Sequence, residues 1–276
     1  MLGGRLPDVR ADLVPDDLWA RVAPLLPPAP ERRYRYPGRL RVPDRAALAG
    51  ILYVLRTGVA WRDVPAEAVG CSGVTAWRQL RDWTEAGVWP RLRAALLTEL
   101  RRAELLDLDD CAVDGPRPGA QRGEHVGPSP VDRARPGSKH HLIVDRHGTP
   151  LAVTLTGGNR HDVTQLLPLL DAIPSIRGLR GRPRRKPRRL YADRGYDFDK
   201  YRRLLWKRGI KPAIARRGVP HGSGLGKVRW VVERAFAWLH QFKRLRIRYE
   251  RRADLHQGLL ELACSLICLR RLRRAS

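Results

Sequence analysis

Through the first hundred positions apolar residues recur at helical spacing. Leu18, Trp19, Val22 and Leu25 follow Pro15 and Asp16, and the pattern stops at Pro27-Pro28. Asp44 is placed to cap the next helix, whose apolar stripe is Ala47, Leu48, Ile51, Leu52 and Leu55; Gly58 ends it. The loop between, 27–43, is rich in Pro and Arg. After a short segment from Trp61 to Val64, Ser72 is the cap of a helix through Trp83. A further helix over 89–104 buries Leu92, Leu96, Leu97 and Leu100. This layout is that of a helix-turn-helix, whose last helix would offer Thr75, Arg78 and Gln79 to a DNA groove. Three short helices packed on one another explain the same pattern without DNA.

From about residue 109 the period changes. Cys111 to Val113 forms a short strand, and 115–137 is a long Gly/Pro-rich loop. His140 to Val144 and Leu151 to Leu155 read as strands around the turn Arg146-His147-Gly148. Asp162 to Ala172 is a helix, 177–189 a densely basic linker, Leu190 to Ala192 a strand, 197–208 a helix and Pro212 to Ala215 a strand. Helices over 227–244 and 253–272 complete the chain. The order β-β-β-α-β-α-β-α-α predicts an α/β fold, a mixed β-sheet flanked by helices, preceded by an all-helical domain. The division expected is 1–105 and 106–276.

Charge narrows the class of partner. The 276 residues carry a net charge of +26, mostly arginine, with 43% hydrophobic residues, so this is a folding sequence and not a basic tail. Such a surplus favours a polyanion, and nucleic acid is the expected partner; a ribosomal-type structural protein is the plainer alternative. No apolar run approaches the roughly 20 residues that span a bilayer, and Met1 to Arg10 has no signal-peptide core. Cys71, Cys111, Cys264 and Cys268 form no disulfide framework and are expected as buried thiols in a reducing cytosol.

Three carboxylates stand out against this basic background. Asp114 ends the apolar run Cys111-Ala112-Val113, Asp193 ends Leu190-Tyr191-Ala192, and Glu233 lies inside the helix 227–244. Strand C-terminal ends are where open α/β sheets place their sites. On the helix, Val228, Val232, Ala235, Leu239 and Phe242 gather on one side, with Arg229, Glu233 and His240 on a neighbouring side. Phosphodiester cleavage uses two divalent ions held by a few carboxylates, and these three acids would suffice. Arg234, Lys243 and Arg244 add charge for a phosphate backbone. Arg229 and Glu233 could equally be an ordinary i,i+4 surface pair, and the aspartates simple turn residues.

Other features carry less. Gly222-Ser223-Gly224-Leu225-Gly226-Lys227 lacks the first Gly and the final Ser or Thr of a phosphate loop. His140, His141 and His161 have no zinc-ligand spacing, and adjacent His140 and His141 must face opposite sides of a sheet. His161 and Asp162 start a helix near the expected site, either as a cap or as support for DNA or metal. Trp77, Trp83 and Trp89 are core residues.

Ala112-Val113-Asp114, Leu190-Tyr191-Ala192-Asp193-Arg194-Gly195-Tyr196 and Arg229-Trp230-Val231-Val232-Glu233-Arg234-Ala235-Phe236-Ala237-Trp238-Leu239 resemble the three acidic motifs of DDE-type bacterial insertion-sequence transposases, in particular the insertion-sequence-five family. Gly158-Asn159-Arg160-His161-Asp162 and the leader segments Leu13 to Trp19 and Gly58 to Pro65 are also similar to that family. The resemblance implies an RNase H-like catalytic domain that binds two Mg²⁺, with Mn²⁺ as a substitute, through Asp114, Asp193 and Glu233. It further implies binding of double-stranded DNA, both transposon ends and target, by a homodimer or higher oligomer in the nucleoid-associated cytoplasm. Water would cut one strand and the freed 3′-hydroxyl would attack the target, with no covalent enzyme–DNA intermediate. His240, where many relatives carry Lys, is read as a DNA contact near the site. The alternatives are a catalytically inactive DNA-binding protein of the same fold and an RNA-binding one.

Overall fold

The computed structural model describes residues 13–29, 31, 34–35, 40–116, 118–120, 123–128, 133–218 and 226–275, with the side chains of 226–228 excluded. Met1 to Arg10, Arg32, Arg33 and Arg39 of the basic loop, and most of the glycine-rich stretch before the helix of Glu233 therefore lie outside the described residues. Two compact units are present: Met1–Leu92 with Phe242–Arg244, and Arg93–Gln241 with Leu245–Ser276. The division falls within a helix, Val88–Arg102.

In the first unit the helices are α1 (Asp16–Val22), α2 (Asp44–Thr57), the single turn α3 (Ala66–Val69), α4 (Gly73–Glu85) and the start of α5 (Val88–Arg102). The stripe of α2 is wholly buried, as its spacing predicts. α2 and α4 cross where Gly50 meets Ala76; a Cβ on Gly50 would lie 2.8 Å from that of Ala76. Gly58 ends α2 in the left-handed region at φ 76°, which glycine enters without steric cost. Ser72 caps α4, accepting from the Thr75 N–H at 3.3 Å. Asp44, expected as a cap, is instead the first helical residue after Pro43, and its carboxylate pairs with Arg41 at 2.6 Å. Trp83 and Trp89 are buried edge to face, 6.0 Å apart, so both are core.

The second unit holds strands β1 (Asp110–Asp114), β2 (Gly119–Ala120), β3 (Gly127–Pro128), β4 (Pro136–Val144), β5 (Pro150–Gly157), β6 (Arg189–Ala192), β7 (Lys211–Ile214) and β8 (Ile247–Arg248). Its helices after α5 are α6 (Leu166–Asp171), α7 (Asp199–Lys207), α8 (Gly226–His240) and α9 (Ala253–Arg273). Hydrogen bonding orders the main strands β7-β6-β1-β4-β5. β4 is antiparallel to β1 and β5, while β6 is parallel to β1 and β7. This is the mixed sheet flanked by helices that the alternation of strands and helices predicts. α8 packs on β1 and β4, and α9 on β5.

Several boundaries differ from expectation. β4 begins at Pro136, inside the stretch read as loop, because its first residues pair with the two-residue strands β2 and β3. It is buried along nearly its whole length, so no polar–apolar alternation marked it. The segment from Asp162 opens as a 3-10 turn through Gln165 before α6. α8 stops at His240 and not at 244; Lys243–Leu245 form a separate 3-10 turn. All four cysteines are buried and free.

Candidate active site

β1 and β6 run parallel with Ala112 opposite Tyr191. Two residues further on, Asp114 and Asp193 therefore stand abreast, on strands about 4.8 Å apart with side chains on one face. Asp193 stays extended (φ −79°, ψ −178°) before the 3-10 turn Arg194–Tyr196. Each carboxylate ties one oxygen to a nearby backbone N–H: Asp114 Oδ1 accepts from Gly115 and Asp193 Oδ1 from Gly195, both at 2.8 Å. The other oxygen of Asp114 faces the guanidinium of Arg229 on α8, 3.6 Å away.

Burial pushes the Asp114 carboxyl above its ordinary pKa, and the nearby charges of Asp193 and Asp162 add to the effect; the Gly115 N–H and Arg229 oppose it. The Tyr196 phenol is raised well above its ordinary value, first by burial and then by Asp162, Asp114 and Asp193. These four groups thus share one electrostatic environment at the carboxyl ends of β1 and β6.

Behind Asp114 lies a polar cluster in the sheet. Lys139 is 2% exposed and pairs with Asp162 at 2.9 Å. His141 bonds Thr156 Oγ1 at 2.7 Å and lies 3.8 Å from Asp162. A Cβ on Gly115 would come within 3.0 Å of His141 Nδ1 and 3.1 Å of Asp162 Oδ1, so only glycine passes there without displacing the cluster. His140, facing the other way, meets His256 of α9 at 2.9 Å. The opposite orientation of the two histidines is the one that strand geometry demands.

The donor set at this edge suits a divalent ion in part. Its donors are hard oxygens, two of them on carboxylates forced side by side, and the buried Tyr196 hydroxyl has no hydrogen-bond partner among the described residues. Asp114 and Asp193 fit such an ion. Glu233 does not complete the set in this conformation: it is exposed on α8, one turn beyond Arg229. Among the described residues no three His, Cys, Asp or Glu side chains are grouped to hold a metal.

Comparison with known proteins decides the family. Residues 101–268 match the transposase DDE domain, and residues 14–93 match the putative transposase of IS4/5 family. The chain belongs to the transposase DDE domain family. It is 67% identical over 150 residues to a putative transposase for insertion sequence element IS402 of Burkholderia cepacia, covering 54% of this chain and 71% of that protein. It is 28% identical over 154 residues to a transposase for insertion sequence element IS1106 of Neisseria meningitidis serogroup B, covering 51% of this chain and 48% of that one. Among solved structures, a pre-cleavage Mos1 transpososome aligns over 88% of this chain and 82% of that chain, at 12% identity and a TM-score of 0.27, a likeness too low to carry an argument. Family membership makes the protein a DDE transposase, an enzyme of metal-dependent phosphodiester cleavage and strand transfer that acts on DNA.

The remaining expected site residues of this transposase are scattered. His161 is exposed and its side chain makes no cap bond; it lines a cavity of about 470 Å³ with His125, Asn159, Arg160 and Thr164. Arg234 lies against Trp230 and Trp238, its Cζ 4.2 and 4.9 Å from the ring centres. His240 is half-buried beside Phe236, and burial together with Arg246 lowers its pKa. Lys243 is exposed. Arg244, expected as a DNA contact, is instead buried in the helical unit, where it bonds the Val59 carbonyl at 3.0 Å and lies over Trp61; that guanidinium serves packing. On α4, Arg78 is exposed, Gln79 is partly so, and the Thr75 hydroxyl is tied to Ser72 Oγ at 3.0 Å. Lys139, His141 and Tyr196 join the site although sequence reasoning does not single them out for it. A lysine inside a strand beside two histidines is the available signal for the first two, and Tyr196 stands within the second acidic motif.

No helix among the described residues is long and apolar enough to cross a membrane.

Proposed function

We propose that the protein binds the terminal inverted repeats of an insertion sequence and catalyses Mg²⁺-dependent cleavage and strand transfer at Asp114, Asp193 and Glu233. The observation that carries this reading is the parallel register that sets Asp114 beside Asp193 at the carboxyl edge of the sheet. Bound there, divalent ions would activate the attacking oxygen and stabilise the leaving one. Asp114 and Asp193 would be the strand-borne ligands, with Mn²⁺ able to replace Mg²⁺, and Glu233 the helix-borne one. The residues around them hold those ligands in place. Lys139 anchors Asp162 behind Asp114, and the Gly115 and Gly195 N–H groups fix one oxygen of each aspartate. The Tyr196 hydroxyl is positioned to donate to water or carboxylate at the site.

In this reading, residues 1–105 and the basic stretch 177–189 grip the inverted repeats, with Thr75, Arg78 and Gln79 facing a groove. Within that stretch Arg184, Arg188 and Arg189 are occupied by Asp109 and Asp110, while Arg177, Arg180, Arg182 and Arg185 are exposed and suit phosphates. His161, Arg229, Arg234, His240 and Lys243 support DNA near the catalytic domain. Two ends imply two active sites, hence a homodimer or higher oligomer on nucleoid DNA in the cytoplasm. The test is nicking of a DNA end with Mg²⁺ by the parent and by Asp193→Asn. Nicking by the parent alone is the expected result; full DNA binding with no nicking by the parent would overturn the catalytic assignment.

A further inference from the structure

Beyond the carboxylate edge, the DDE unit carries a cavity of about 470 Å³ walled by Trp238, His147 and four arginines, Arg234, Arg270, Arg271 and Arg274. It is built from α8, the end of α9 and the turn between β4 and β5. That turn lies at the opposite end of β1 from Asp114, because β4 is antiparallel to β1 with Leu142 opposite Asp114. The separation is at least the length of the strand, about 13 Å.

Four guanidiniums crowd together here, and none of the described lining residues is acidic. Burial and Arg271 lower the pKa of Arg234, and burial with Arg274 and Arg273 lowers that of Arg270. Asp145, whose charge acts on Arg234, is fully buried and already accepts from the backbone N–H groups of Asp107, His147 and Thr149 at 3.1, 2.9 and 2.7 Å. Arg234 is fixed by its two indole neighbours and donates to the His147 carbonyl at 2.6 Å. Arg270 reaches Gln241 Oε1 at 3.3 Å. The Nε atoms of Arg234 and Arg271 are buried without an acceptor among the described residues. A site with surplus donors, surplus positive charge and a rigid indole wall calls for an anion rich in acceptor oxygens.

We propose that this pocket is a second phosphate-binding site of the DDE unit, one that takes a backbone phosphate of the bound DNA several nucleotides from the one being cut. The assignment rests on the DNA-binding reading above. With the duplex axis along β1, a B-DNA rise of about 3.4 Å per base pair places that phosphate about four base pairs from Asp114 and Asp193. The site therefore sets how DNA lies across the sheet without touching the reacting atoms.

The test measures duplex DNA affinity against salt concentration for the parent, for Arg270→Gln with Arg274→Gln, and for the matching Lys pair. Both positions are exposed, and Arg274→Gln alone, beyond the end of α9, serves if the pair unfolds. The Gln pair is expected to bind DNA more weakly and to flatten the log–log salt slope by about 0.9 for each phosphate no longer neutralised. The Lys pair should keep the parent slope. A Gln pair with the parent's slope and affinity overturns the proposal. So does protection of the parent by inorganic phosphate, abolished in the Gln pair, with DNA affinity unmoved: the pocket would then take free phosphate only. A parent that binds no DNA at all would instead sink the underlying reading.

Discussion

Arg229 Nη2 lies 3.6 Å from Asp114 Oδ2, so the first cation that the strand-end acids meet is one supplied by α8 itself. Glu233 follows one turn later on the same helix. The guanidinium sits on the face of Asp114 where a metal ion would also be drawn, and the two must compete. Removing a partly exposed ion pair worth about 1 kcal/mol should tighten divalent-ion binding about fivefold. We expect Arg229→Gln to bind Mn²⁺ more tightly by calorimetry while nicking DNA more slowly. An unchanged Mn²⁺ affinity would remove Arg229 as a competitor.

The surroundings of Asp114 disfavour its charged form. Burial and two neighbouring carboxylates raise its pKa, so its ionisation in the folded state opposes stability at neutral pH. Asp114→Asn should therefore raise Tm in the absence of divalent ions, by about 2–4 °C for each kcal/mol relieved. The same change should lower nicking by about a thousandfold or more, since metal ligands supply several kcal/mol of transition-state stabilisation. Calorimetry in chelator beside a nicking assay checks both; a fall in Tm would contradict the electrostatic account.

His141 sets an acid limit on the fold. Burial, the larger cause, and the Lys139 charge hold its pKa down to about 4, against an ordinary value of 6.5, despite Asp162 nearby. A depressed imidazole leaves the unfolded chain binding more protons, so stability is full above pH 6.5 and falls as pH drops towards 4. The bound on this loss is about 3 kcal/mol. His141→Gln should flatten part of the decline in urea midpoint across that window. His140, whose pKa burial and His256 lower further, accounts for a residual slope. An unaltered slope in the variant would place the acid sensitivity elsewhere.

Arg93 and Glu261 form a buried pair at 2.5 Å, joining α5 to α9, and Arg93 also donates to the Leu151 carbonyl of β5. Arg93→Ala should cost about 3–5 kcal/mol, because it strands Glu261 in the interior. Arg93→Met with Glu261→Leu should cost far less. Denaturant unfolding of both variants separates the two; equal losses would mean that the Leu151 hydrogen bond, and not the ion pair, carries the effect.

Gly73 illustrates a constraint of the helical unit. A Cβ there would fall 1.6 Å from the Trp61 carbonyl oxygen, so the backbone of α4 touches that of the turn Trp61–Asp63. Gly73→Ala should destabilise the protein by about 1–3 kcal/mol, as overpacking does. Ser72→Ala, which removes only the cap, should cost about 1 kcal/mol. If Gly73→Ala proves the milder of the two, the close approach is not a constraint.

Much of the candidate edge is legible in the chain because it is encoded locally. Asp114 and Asp193 each follow a short apolar run, and strand ends at the carboxyl side of a sheet are where such acids act. Helical spacing marks the buried stripe of α2 and the cap at Ser72 for the same reason: period and end signals span only a few residues. β4 escapes in part because a strand buried on both faces shows no alternation. The setting of Arg234 escapes because its charge points to phosphate but does not show its indole partners, Trp230 and Trp238, which stand at the i−4 and i+4 positions beside the guanidinium.

The sequence by itself determined the kinds of element, the family motifs and which acids stand at the strand ends, since each rests on residue type and near-neighbour spacing. Only the tertiary structure decided which charges meet. It laid Arg229 against Asp114, buried Lys139 beside Asp162, folded Arg244 under Trp61 and gathered four arginines around one cavity. Those pairings join residues tens to more than a hundred positions apart, and their energies depend on burial and distance, which no local pattern records.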